Sequence, residues 1–339
     1  MTEPAREDRR KAFLRGAGWA SAERHFLAGD ASNRSYDRLT MGPRRAVLMD
    51  APPEKGEATG PFVAMARHLR GLGLSAPEIF DEDAANGFLL LEDLGDALFA
   101  RVLAAAPELE VRLYSAATDT LAHLQASPAP AGLPDHTRDF MAGAAGLSVS
   151  WYAYAVTGIR SDPAPMADAM TAALAAHCCA PPVLVLRDYH AENLIWMPDR
   201  HGLAAVGLLD FQMGSMGQPG YDLISLLQDA RRDVGPNIEA AMIARFAAAT
   251  NVDPLWLEIH CAVLGAQRAL RILGGFSRLS LHFGKPGYVR LIPLVWAHLL
   301  RNLAHPALSD LHKLAQDLPE PTPEALQRIT DQCGTVSTL

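Results

Sequence analysis

The chain is 339 residues long, 49% hydrophobic and 20% charged, with 24 prolines and 26 glycines, which is enough to fold two lobes with cores of their own. Its formal charge of −8, without a sustained block of Lys or Arg, makes nucleic acid and anionic membrane surfaces poor partners. Four cysteines without metal-ligand spacing (Cys178, Cys179, Cys261, Cys333), a charged N-terminus and no membrane-spanning apolar run give the expectation of a cytoplasmic protein with reduced thiols.

In chain order, residues 7–18 suit a short amphipathic helix with Phe13, Leu14 and Trp19 as its apolar contacts. Three strands are expected over 24–28, 35–40 and 45–50. The loop Gly29-Asp30-Ala31-Ser32-Asn33 between the first two is made of small residues whose backbone N–H groups can cover phosphates. Taken alone it is better read as the turn of an ordinary hairpin. Phe62, Met65, Ala66 and Leu69 predict a helix over 60–72, stopped at Gly71 and Gly73. Strands near 77–80 and 87–92 run into Leu91-Glu92-Asp93-Leu94-Gly95. Beyond Leu98 helix dominates, expected over 98–105, 107–125, 166–178, 221–232, 238–250, 255–273, 288–303 and 324–332. No P-loop, dinucleotide fingerprint or zinc-ligand spacing interrupts this pattern.

The informative stretch is 183–210. Two short apolar runs, 183–186 and 206–209, read as buried strands, and each delivers an acid, Asp188 and Asp210, at or just past its end. Asn193 completes an Asp-x4-Asn spacing. Phosphoryl transfer needs a carboxylate to take the acceptor's hydroxyl proton, and an amide oxygen plus a second carboxylate to hold magnesium on the phosphates. The kinase pattern is this Asp-x4-Asn, followed by an Asp-led motif after the next strand. Asp188 is therefore the expected catalytic base, Asn193 and Asp210 the expected Mg2+ ligands, and ATP the expected donor. A single Asp at a strand end also serves as an ordinary strand cap; the ordered set of Asp188, Asn193, Asp210 and Asp222 is what favours a site.

These residues resemble the catalytic loop of the aminoglycoside-phosphotransferase family. Within it they look most like the bacterial N-acetylmuramate/N-acetylglucosamine kinases, which phosphorylate the anomeric hydroxyl of amino sugars in cell-wall recycling. Arg-Asp-Tyr-His-x-x-Asn-Leu at 187–194, Leu-Leu-Asp-Phe-Gln at 208–212, Gly-x-Pro-x-Tyr-Asp-Leu at 217–223 and 227–234 carry the likeness, which extends from Gly29 to Gly287. It implies an α+β, two-lobed, protein-kinase-like fold: a small β-rich lobe over 1–94 ending in a hinge, and a larger, mainly helical lobe over 95–339. It also implies an ATP site made of Gly29, Asp30, Ala31, Ser32, Asn33, Arg34 and Arg38, with Glu92 and Leu94 as the hinge that holds adenine. Asp222 resembles the buried acid that braces the catalytic loop, and His190 is expected to be structural.

Three departures from the family pattern stand out. Met49 replaces the phosphate-binding lysine, so Arg34 or Arg38 is expected to supply that charge. Leu186 stands where much of the superfamily has His, and Met213 where an Asp is common. A non-catalytic nucleotide-binding module is the competing class, and the intact Asp188, Asn193 and Asp210 argue against it. For the acceptor, Trp151, Tyr152 and Tyr154 are expected as an aromatic platform, and Arg268, Arg271, Arg278 or Lys285 as partners of an anionic substituent. The plainer reading makes the aromatics core and the basic residues a solvated helix face. Aminoglycosides and amino alcohols are the rival acceptors; arginines at 268, 271, 278 and 290 tilt the chain away from a polycationic substrate.

Overall fold

A computed structural model of the protein describes residues 3–29 and 33–337, so Asp30, Ala31 and Ser32 of the expected nucleotide loop lie outside the described residues. The chain runs through helix α1 (Glu3–Gly16), strands β1 (Glu23–Gly29), β2 (Ser35–Met41) and β3 (Arg44–Asp50), helix α2 (Gly60–Gly71), then β4 (Ile79–Asp83) and β5 (Phe88–Leu91). Helices α3 (Phe99–Ala105), α4 (Glu110–Ala126) and α5 (Arg138–Ala145) follow, then a π-helical segment, Ser148–Ala153, α6 (Tyr154–Thr157) and α7 (Ala164–His177). The short strands β6 (Val183–Val185), β7 (Leu194–Trp196), β8 (Val206–Leu208) and β9 (Ser215–Gly217) come next. Helices α8 (Tyr221–Leu227), α9 (Pro236–Thr250), α10 (Pro254–Leu281), α11 (Ile292–Leu303), α12 (Ser309–Ala315) and α13 (Pro323–Asp331) complete an α+β fold. Among the described residues no helix is long and apolar enough to cross a membrane.

The chain packs as two compact units, Met1–Ala116 with Glu192–Met213, and Ala117–Ala191 with Gly214–Leu339. Helix α3 and the β7–β8 hairpin group with the sheet because backbone bonds tie them there: Trp196 N donates to Ala97 O at 2.8 Å, and Leu208 N to Ser75 O at 2.8 Å.

In the first unit an antiparallel sheet has the order β1-β2-β3-β5-β4. Central β3 is buried from Ala46 to Asp50, as a strand covered on both faces must be. Helix α1 packs Phe13 and Leu14, with Trp19 just beyond it, over Leu39, Ala46, Leu48, Phe88 and Leu90. It starts earlier than residue 7 because Arg6 and Arg10, one turn apart, both clamp the buried Asp50 at the end of β3. Helix α2 buries Phe62, Val63, Met65, Ala66 and Leu69, and Gly73 ends the turn at φ 78° with its N–H on Arg70 O. Strand β4 starts two residues later than expected, at Ile79.

In the second unit α10 is the spine, 28 residues and so about 42 Å long. Asp253 caps it by accepting from Leu255 N, and Pro254 occupies its first turn. The helix does not stop at Leu273. Gly274 continues it, because a Cβ there would lie 2.2 Å from Leu147 O; the glycine admits a neighbouring backbone and does not end the helix. Gly265 similarly admits the Gln228–Asn302 amide pair. Helix α8 stops at Leu227, short of 232, since Gln228 turns inward to Asn302 and Glu239 and Asp229 Oδ1 takes Arg231 N at 2.9 Å. The 288–303 prediction divides into a 3-10 turn, Pro286–Leu291, and α11. Strands β7 and β9 and helices α5, α6 and α12, with the π-helical segment, carry no prediction from the sequence.

Candidate active site

The first unit contains a cavity of about 320 Å³, a size that suits a small ligand. Ala28 and Gly29 at the end of β1, Tyr36 of β2 and Val47 of β3 line one side; Leu91–Asp96, Asn193 and Asp210 line others. Asn193 precedes β7 and Asp210 follows β8. The hairpin, with Leu209 N donating to Asn193 O at 3.0 Å, therefore brings both side chains to one cavity. Asp210 adopts φ 55°, a left-handed backbone uncommon outside glycine and often retained at functional positions. Gln212 Nε2 donates to Asp210 Oδ1, and Arg34, largely buried, lies 4.0 Å from the same oxygen and 3.6 Å from Glu57. A carboxylate and an amide oxygen facing one cavity are hard donors suited to Mg2+, which needs no more than one or two protein oxygens once phosphates supply the rest. The donor set fits that ion.

At the other end of the cavity, Glu92 spends its N–H on Glu78 O (2.8 Å) and its carboxylate on Arg200 and Glu78 N. Its C=O and the N–H of Leu94 have no hydrogen-bond partner among the described residues. They leave one acceptor and one donor for a ligand edge. Arg38, expected as a phosphate contact, is instead committed to the hinge: it bonds Asp96 Oδ2 at 2.7 Å and Asp93 Oδ1 at 3.0 Å. The Asp96 bond leads the causes that raise its already high pKa. Met49 is fully buried between Tyr36 and Leu89. Asn33 is exposed, with its N–H on Glu57 Oε1. Met213 is exposed as well.

Asp188 lies in the second unit, on the loop that leaves β6. That loop is held from below by Asp222 in the first turn of α8, whose carboxylate accepts Leu186 N at 2.6 Å and Arg187 N at 2.8 Å. Arg187, directly before Asp188, has φ 74°. Burial raises Asp222 to about 6, while the two N–H groups and Arg268 pull the other way. Tyr189 is buried and donates its hydroxyl to Ala117 O at 2.9 Å. His190 is pushed down to about 4 by burial above all, so its ring is neutral at pH 7. Leu186 therefore serves through its backbone N–H, which explains why a side chain other than His is accommodated there.

The expected acceptor residues divide. Tyr152 is fully buried and donates its hydroxyl to Pro319 O at 2.6 Å, and Trp151 is buried in the helical core. Both rings pack inside the helical core rather than on an open face. Tyr154 is half-buried against that core, with Arg160 over its ring. Lys285 is exposed. Arg268 is not on a solvated face; it is buried, donates to Ser225 Oγ at 2.5 Å and lies over Tyr221. Sequence reasoning missed Arg6, Arg10, Asp93 and Asp96, whose partners are distant in the chain.

The fold is the kinase-like α+β fold: the structure of the choline/ethanolamine kinase family protein from Mesorhizobium loti superposes with a TM-score of 0.59 at 16% identity, covering 96% of this chain and 99% of that one. More narrowly, the chain belongs to the phosphotransferase enzyme family, whose sequence model matches residues 23–259. It is 39% identical to the N-acetylmuramate/N-acetylglucosamine kinase of Caulobacter vibrioides across 90% of this chain and 94% of that protein. It is 31% identical to the like-named kinase of Pseudomonas aeruginosa, across 89% and 91%.

Proposed function

We propose that this protein is an ATP-dependent cytoplasmic kinase that phosphorylates the anomeric hydroxyl of N-acetylmuramate and N-acetylglucosamine during re-use of cell-wall sugars. The observation that carries the reading is the 39% identity, over nearly the whole of both chains, to a kinase named for those two sugars. Residues 1–94 would be the nucleotide lobe and 95–339 the lobe that carries the acceptor. The cavity lined by Glu92–Asp96 suits a nucleotide base, with Glu92 C=O accepting from its amino group and Leu94 N–H donating to its ring. Gly29 and Arg34 would meet the phosphates.

Asp188 orients the acceptor hydroxyl and takes its proton while the new O–P bond forms. The bond between the γ-phosphorus and the β–γ bridging oxygen breaks, and ADP leaves with that oxygen. Asn193 and Asp210 would hold Mg2+, which neutralises the phosphates when bound. Arg34, beside Asp210, supplies the positive charge that Met49 does not. The test is ADP release with Mg-ATP across a panel of N-acetylmuramate, N-acetylglucosamine, aminoglycosides and amino alcohols. Turnover only with an aminoglycoside or amino alcohol would replace the acceptor; no release with any would favour a binding module.

A further inference from the structure

Near Asp188 the second unit holds two polar groups that the mechanism above leaves unused. Arg268 and Arg271 lie three residues apart on α10 and share a face of it. Arg268 is committed to Ser225 and stacked on Tyr221, and Tyr221 in turn lies 5.1 Å from the His136 ring. Ser225 Oγ also reaches Arg187 O at 3.4 Å. Arg187, Arg268 and Arg271 therefore surround one small region: burial first, then all three charges, push His136 down to about 4 and leave its imidazole neutral. Of the acids here, Asp222 is spent on two backbone N–H groups and Asp229 Oδ1 on Arg231 N, while Asp188 and Asp229 both act on Arg268.

Arg271 is different. It is half-buried, its Nε is inaccessible to solvent, and its guanidinium has no hydrogen bond or ion pair with any described residue. His136 is 7% exposed and its Nε2 is likewise buried without a partner among the described residues. Arg187's guanidinium makes no such bond either. A desolvated donor left unpaired is costly. Two of them in a basic region match one ligand group, a carboxylate, which takes a guanidinium through parallel N–H···O bonds and has lone pairs left for an imidazole N–H.

We propose that Arg271 and His136, with Arg187 adding charge, form the subsite for a carboxylate on the acceptor. This rests on the sugar-kinase reading, within which the group is the lactyl carboxylate of N-acetylmuramate, absent from N-acetylglucosamine. The subsite is then what lets one active site favour the acidic sugar, while the neutral sugar binds without it.

The test measures KM and kcat by ADP release for both sugars with Mg-ATP, in the parent protein, Arg271→Leu and Arg271→Lys, and for the methyl ester of N-acetylmuramate. Arg271→Leu should raise the ratio of the KM for the acid to that for the neutral sugar on the order of 10- to 100-fold, the worth of a charge-assisted bond, with kcat little moved. Arg271→Lys should recover part of this. The ester changes the ligand and leaves the fold alone; in the parent it should show the same rise in KM, and Arg271→Leu should add nothing to it. An unchanged KM ratio in Arg271→Leu, a kcat lost equally with both sugars, or a parent that uses ester and acid alike would overturn the subsite. A parent that phosphorylates neither sugar overturns the acceptor reading itself, and the subsite with it.

Discussion

Arg34 directly precedes β2 and Arg38 lies within it, yet their surroundings give them different work. Arg34 sits 4.0 Å from Asp210, whereas Arg38 is held by Asp93 and Asp96 of the hinge. Arg34→Ala should accordingly raise the KM for ATP by about tenfold or more, the worth of one charge-assisted contact. Arg38→Ala takes the ionic partner from buried Asp93 and leaves it only the Gly95 N–H on Oδ1, which should cost about 3–5 kcal/mol of stability, read from denaturant midpoints. Equal changes in KM for ATP in the two variants would show that both charges reach the phosphates. At the acceptor end, Asp188→Asn should keep the melting temperature and lower kcat by about 10²–10⁴, the usual contribution of a general base. Near-parental turnover would remove Asp188 from that role.

Among the elements, Gly274 separates a stop signal from a packing device. Its missing Cβ lets Leu147 O approach α10, so Gly274→Ala should cost about 1–3 kcal/mol through overpacking, seen as a lower urea midpoint. An unchanged midpoint would show that the turn at Leu147 yields freely. The same position explains a limit of sequence reading, since a glycine pair near a helix end looks alike whether it ends the helix or admits a neighbour. The five strands of the sheet were legible because turn residues such as Gly42-Pro43 and Gly87 set them off as short runs. Strands β7 and β9, three residues each, carry no period, and the π-helical turn at 148–153 breaks the 3.6-residue spacing by which helices are recognised. At the site, Asp188, Asn193, Asp210 and the bracing Asp222 were legible because their chemistry or motif dictates residue type. Arg271 and His136 were not singled out together, because only tertiary structure shows which polar groups lack partners.

At the scale of the molecule, buried histidines set the response to acid. His136, His190 and His298 are each held at about 4, burial being the first cause, against an ordinary value of 6.5. Between those values the unfolded chain binds protons that the folded chain refuses, so stability rises with pH and is lost on acidification from about 6.5 towards 4. Asp222, raised to about 6, acts in the opposite sense between about 4 and 6, since there the folded chain carries the extra proton. Three histidines outweigh one carboxyl, so the melting temperature should fall steadily over that range, and His298→Gln should flatten the fall. A melting temperature constant from pH 7 to pH 4.5 would contradict this.

The return of residues 192–213 to the first unit bears on how the protein is made. Ser75 accepts Leu208 N and donates to Ala204 O, so the wall carrying Asn193 and Asp210 is stitched to a strand-rich segment that leaves the ribosome long before it. The segment around Ser75 must wait for roughly 100 further residues, on the order of 5–20 s at ordinary elongation rates, before its partner hairpin is made. During that interval the first helices of the second unit begin to emerge. Synthesis rate and chaperone supply, more than equilibrium stability, should then govern how much active protein a cell recovers.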